Sequence, residues 1–139
     1  MSANPVSIFF YGLFMDAALL AAKGVHATNP RIGYVDGYCL HIGERATLAP
    51  DPDGRAYGVL MSVSTEDIAA LYSDSSVADY VAEQVVVTLA GAVTESAVCY
   101  NLPAAKLAGT NPEYAKALLS LATRLGLPDS YLGHIRRAL

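Results

Sequence analysis

Residues 54–71 read GRAYGVLMSVSTEDIAAL, and the change of pattern inside this stretch decides the class of fold. Ala56 to Val63 carries no charge and is rich in apolar side chains, which predicts a buried strand. Ser64 and Thr65 follow, then Glu66 and Asp67. A hydroxyl cap with acids in the first turn opens a helix, which runs to about Tyr72.

Working outward, the same signals recur. Val6 to Tyr11 is β-branched and aromatic and predicts a buried strand, ended by Gly12. Asp16 to Lys23 predicts a short helix stopped by Gly24. Asn29-Pro30 marks a turn. Ile32 to Ile42 is extended, with Gly33 and Gly37 inside it, as in strands that bend around a barrel. Arg45 to Leu48 is a second short extended piece. Pro50-Asp51-Pro52-Asp53-Gly54 is the strongest turn signal in the chain. Beyond the polar break Ser73 to Ser76, Tyr80 to Ala90 and Glu95 to Asn101 predict two more strands. A helix opens at Pro112 or Glu113 and ends at Leu125, with Gly126 and Pro128 as stop signals. A last helix covers about Asp129 to Arg137. Helices interrupt a mostly β chain, so the expected class is α+β with a closed or half-closed sheet, in one domain over residues 1–139.

Composition narrows the function. The chain has 139 residues, 53% hydrophobic and 16% charged, which excludes a disordered linker. Its net charge of −4 and the lack of a basic cluster beyond Arg136-Arg137 argue against nucleic acid. Cys39 and Cys99 form no CxxC and read as free thiols, and no metal framework is expected. The apolar run from Ile8 to Ala22 is broken by Asp16 and is too short to span a bilayer. The N-terminus lacks a positive leader. These features predict a soluble cytoplasmic protein with no membrane partner and no cofactor. Apolar strand residues leave room for a homodimer.

A strand ending in Tyr11-Gly12 and passing at once into a helix presents main-chain N–H groups at a turn. Without a Cβ at residue 12, ligand atoms can approach them, and a helix start adds partial positive charge. Such a turn suits a carboxylate or a developing oxyanion. It also serves merely to turn the chain, and both readings stand at this point.

The longer pattern resembles the γ-glutamylcyclotransferase-like family. The carriers are Tyr11-Gly12 after an apolar strand, "GYCLHIGERATLAPDPDGRAYGVLMSVSTEDIAALY" from Gly37 to Tyr72, and "LGLPDSYLGHI" near the C-terminus. The resemblance spans nearly the whole chain. It implies a small mixed β-barrel flanked by helices. It also implies cyclisation of a γ-glutamyl amine to 5-oxoproline with release of the amine. By resemblance, Tyr11, Gly12, Leu13 and Phe14 would cradle the glutamyl group through their main-chain N–H groups, and the hydroxyl of Tyr80 would bind a substrate carboxylate.

Cyclisation needs a base, because the attacking amine is protonated at neutral pH and the leaving amine must gain a proton. The family draws that base from a glutamate in a loop after the helix; here Ser75 falls at that position. Leu13 replaces the serine that follows Tyr-Gly in the family, and Ala82 replaces a strand arginine. Asp74, one residue from Ser75, is one candidate base. Glu83 is the other: it is in phase with Val81, Val85 and Val87, so it points inward if those valines line a barrel. Three readings remain open. The first is a cyclotransferase using Glu83 or Asp74. The second is a degenerate member that binds a small carboxylate or amide ligand without catalysis. The third is a different reaction, such as ligation or amide hydrolysis, in the same cavity.

Overall fold

The strand read at 56–63 is the second half of a much longer one. In the computed structural model, which describes residues 5–73 and 77–139, five strands close into a mixed barrel in the order β1-β3-β2-β4-β5. They are β1 (Pro5–Phe10), β2 (Thr28–Ile42), β3 (Ala46–Ser64), β4 (Val81–Leu89) and β5 (Thr94–Asn101). All pairs are antiparallel except β1 with β5, which run parallel and meet at Ile8 and Val98. Four helices accompany them: α1 (Ala17–Ala22), α2 (Thr65–Leu71), α3 (Pro112–Leu125) and α4 (Asp129–Arg136). The expected α+β barrel is what the chain forms.

Two sequence turns prove to be bulges. Asp36 pairs with Arg55 and Tyr38 with Pro50, so residues 51–54 face Gly37 alone and loop out of a continuous ladder. The Pro-Asp-Pro-Asp-Gly run bends β3 and does not end it, because both flanks pair with the same neighbour. The register also slips between Thr28 and Arg31, where Asn29 has a φ of 55°. Asn29-Pro30 is therefore a bulge within β2. Asparagine tolerates that left-handed conformation better than most residues.

The helices start where their caps predict. Asp16 accepts from the Ala18 N–H at 2.9 Å, and Ser64 Oγ accepts from the Asp67 N–H at 3.1 Å. Asn111 caps α3 by accepting from the Tyr114 N–H at 3.0 Å, and Gly126 ends it at a φ of 79°. β1 is buried at Ile8, Phe9 and Phe10 in succession, which requires cover on both faces of that strand. β4 alternates instead, with Val85 and Val87 buried and Val86 exposed. α3 turns Ala115, Leu118, Leu121 and Ala122 toward the core, and α4 adds Leu132 and Ile135. Among the described residues no helix is long and apolar enough to cross a membrane.

Candidate functional site

After Phe10 the chain leaves the barrel through Tyr11 and Gly12, makes one 3-10 turn over Leu13–Met15 and enters α1. The turn is closed by Met15 N–H to the Gly12 carbonyl at 3.0 Å and Asp16 N–H to the Leu13 carbonyl at 3.1 Å. Tyr11 is buried and donates its hydroxyl to the Tyr100 carbonyl at 2.7 Å, fixing the start of the turn to β5. The glycine has a definite steric role. A Cβ on residue 12 would run into the hydroxyl oxygen of Tyr114, which α3 delivers against the turn. That oxygen accepts from the Leu13 N–H at 3.3 Å. The N–H of Phe14 has no hydrogen-bond partner among the described residues.

The turn forms one wall of a cavity of about 330 Å³. Tyr11, Gly12, Leu13 and Phe14 line it together with Tyr72, Tyr80, Tyr100 and Tyr114, and Leu13 and Phe14 do not plug it. Tyr72 and Tyr100 stack with centroids 4.0 Å apart at 15°, and Phe14 meets Tyr72 edge-on at 6.2 Å. Lys23, Glu44 and Arg45 bring charge to its lining. Arg45 is held by Asp79 at 3.3 Å.

Burial dominates the electrostatics of the tyrosines. It pushes Tyr80 up to about 12, with Tyr114 adding to the rise and Arg45 opposing it. Burial raises Tyr11, Tyr72 and Tyr114 as well. At neutral pH these groups are protonated donors and not bases. The hydroxyl proton of Tyr80 goes to the Ala46 carbonyl, so its lone pairs, and not its O–H, are what it offers the cavity. Sequence reasoning had that hydroxyl binding a carboxylate; the neighbouring β3 carbonyl claims it first.

The structure therefore gathers Tyr11, Gly12, Leu13, Phe14 and Tyr80 around one space, and leaves Glu83 out of it. Glu83 pairs with Cys99 across β4 and β5 and shares the phase of the buried Val85 and Val87, as its spacing predicts. Yet the residue is solvent-exposed at the strand end, and its Oε1 accepts from Asn101 Nδ2 at 2.6 Å. The physical reason is alternation. Tyr100 lines the cavity, and the residue paired with it on β4 is Ala82, not Glu83. Val81, which the inward reading of Glu83 would have placed in the interior, is 54% exposed because β4 begins beyond the covered part of the barrel. Asp74 lies outside the described residues. Sequence reasoning also missed Tyr114 and Glu44. The Asn111-Pro112 helix start was the available signal for Tyr114, since it places that residue in the first turn. Among the described residues, no three His, Cys, Asp or Glu side chains gather into a metal site.

No family model and no curated protein matches the sequence. Solved structures do match it in shape. A γ-glutamyl cyclotransferase superposes with a TM-score of 0.81 at 16% identity, over 98% of this chain and 89% of its own. A yeast γ-glutamyl cyclotransferase specific to glutathione gives 0.66 at 15% identity, over 97% and 95%. The YkqA protein of Bacillus subtilis gives 0.79 at 24% identity, over 96% of this chain and 54% of its own. The fold of this chain is the γ-glutamyl cyclotransferase fold.

Proposed function

We propose that this chain binds a γ-glutamyl amine in the cavity at the 11–14 turn and cyclises it to 5-oxoproline, releasing the amine. One observation carries the reading: an open space of about 330 Å³ borders the turn where β1 becomes a 3-10 helix. Pockets for small molecules start at about that volume. The Phe14 N–H is uncommitted among the described residues, and donors of that kind stabilise a carboxylate or the oxyanion formed when an amine attacks an amide carbonyl. Tyr72, Tyr80, Tyr100 and Tyr114, neutral at neutral pH, give the cavity a largely apolar wall.

Incubation with a panel of γ-glutamyl amino acids and γ-glutamyl alkylamines, followed by quantification of 5-oxoproline, tests the proposal. Product above the uncatalysed background supports it, and no product from any member of the panel overturns the catalytic reading. The exclusion of Glu83 from the lining favours a second reading, a binding protein of the same fold. Thermal stabilisation by γ-glutamyl amines without product formation would establish that one.

A further inference from the structure

The cyclisation proposed above needs a carboxylate that Glu83 does not bring to the cavity. Among the described residues Glu44 is the only acidic residue in the lining; like Glu83 it is exposed to solvent, but unlike Glu83 it borders the cavity. It stands with Gly43 and Arg45 at the tip between β2 and β3, where the Gly43 N–H meets the Arg45 carbonyl at 3.0 Å. The tip is clamped to the segment that opens α3. The Glu44 N–H donates to the Ala108 carbonyl at 2.8 Å, and Asn111 Nδ2 donates to the Glu44 carbonyl at 3.1 Å. The Glu44 side chain rests on Gly109. A Cβ there would stand 2.7 Å from its Cγ and 3.2 Å from its Oε1, and the residue's φ of 74° also favours glycine. The same Asn111 caps the helix that carries Tyr114 to the turn. One anchor thus holds both the Glu44 backbone and the helix whose Tyr114 hydroxyl contacts the Leu13 N–H.

We infer that Glu44 is the catalytic base of this cavity. The inference rests on the cyclotransferase reading above. Glu44 takes one proton from the α-ammonium of the substrate, leaving a neutral amine. That nitrogen attacks the γ-carbonyl carbon, a C–N bond forms, and the carbonyl oxygen takes up negative charge at the turn. The attacking nitrogen loses a second proton to water. As the tetrahedral carbon collapses, Glu44 returns its proton to the leaving nitrogen, the old amide bond breaks, and the released amine collects the second proton from water. Protons and electrons balance without an oxidant, a reductant or a metal.

The test is steady-state kinetics on full-length Glu44→Gln, Glu44→Ala and Asp74→Asn beside the wild type, with melting temperatures as a check of folding. Glu44→Gln should lower kcat roughly 10²- to 10⁴-fold, the usual worth of a positioned base. KM should stay within about threefold. Added formate should restore part of the rate of Glu44→Ala, which a merely structural glutamate would not allow. Wild-type activity with Glu44→Gln keeping more than about a tenth of kcat overturns the assignment and leaves the cyclotransferase reading standing. So does loss of rate in Asp74→Asn alone. A wild type that releases no 5-oxoproline overturns both.

Discussion

Tyr100 and Asn101 are neighbours at the end of β5, and they belong to two different regions of the molecule. Tyr100 lines the cavity, stacks on Tyr72 and gives its carbonyl to Tyr11. Asn101 is buried on the opposite face, where it donates to Glu83 and accepts from the Leu48 N–H at 3.3 Å. Among the described residues the cavity side is built from tyrosines with Lys23, Arg45 and one acidic residue, Glu44, on a clamped tip. The Asn101 side satisfies buried polar groups at the barrel's end. Glu83, three residues from Tyr80, thus does structural work outside the cavity, whereas Glu44, beside Arg45 and Ala46, belongs to the lining. A strand's two faces are separate environments, and a one-residue difference in position decides which chemistry a side chain joins.

The comparison is tested hardest at residue 12. In Gly12→Ala the new methyl group meets the Tyr114 hydroxyl, so either the turn or α3 must shift. Overpacking of this kind costs about 1–3 kcal/mol in denaturant unfolding. We expect at least a tenfold loss of affinity for γ-glutamyl amines by calorimetry, roughly 1.4 kcal/mol or more. Adding Tyr114→Ala removes the obstacle, so the double variant should be more stable than the sum of the two single losses. Additive losses would show that the hydroxyl does not stand against residue 12.

Next in size is Asn101→Ala, which strikes the other face. It leaves the buried Leu48 N–H without its acceptor and Glu83 without its donor, at a cost of about 1–3 kcal/mol. Ligand affinity should change less than about twofold, because the residue does not line the cavity. A large affinity loss at unchanged stability would mean that the two faces communicate, and the separation drawn above would be wrong.

Much of this was legible in the sequence. The apolar run 56–63 followed by Ser64 and two acids fixed a strand and a capped helix, because both signals act locally through spacing and one hydrogen bond. The same holds for Asp16, Gly24 and Gly126. The turn at 11–14 was recognisable as a candidate site, since strand, glycine and helix start are contiguous, and it does border the cavity. Turn residues at 29–30 and 50–54 misled because a bulge and a hairpin turn use the same residue types. Only the register between β2 and β3, a long-range property, separates them. Glu83 misled for a related reason. Its phase was read correctly, but phase does not say which face of β4 looks toward the cavity or where along the barrel the cover ends. Glu44 and Tyr114 lie 70 residues apart and are linked through Asn111, a contact that no local pattern announces.

High pH sharpens the contrast by a smaller amount. The pKa of Tyr80 in the folded chain stands at about 12, above the ordinary tyrosine value. Between the ordinary value and about 12 the unfolded chain therefore binds fewer protons than the folded one, and stability falls as pH rises. This contribution is fully present below the unfolded value. Tyr80→Phe should make the alkaline loss of stability shallower, at some cost at neutral pH from the missing bond to Ala46. Equal alkaline slopes in wild type and variant would remove Tyr80 from the account.

The smallest expected effect lies on the barrel's outside, where Arg31 of β2 meets Glu95 of β5 at 2.9 Å and Ser7 of β1 donates to the same carboxylate at 2.7 Å. The Arg31 and Ser7 hydrogen bonds hold the Glu95 carboxyl below its ordinary value, so their contribution is present above that value and fades as pH falls. Both side chains are about one-third exposed, so water and salt weaken the pair. Arg31→Gln should cost about 0–1 kcal/mol, shrinking further in high salt. It touches neither the cavity turn nor Asn101, so affinity for γ-glutamyl amines should not move. A loss larger than that of Asn101→Ala would place the closing tension of this barrel at its surface and not at its buried amide, reversing the ranking argued for the two faces of β5.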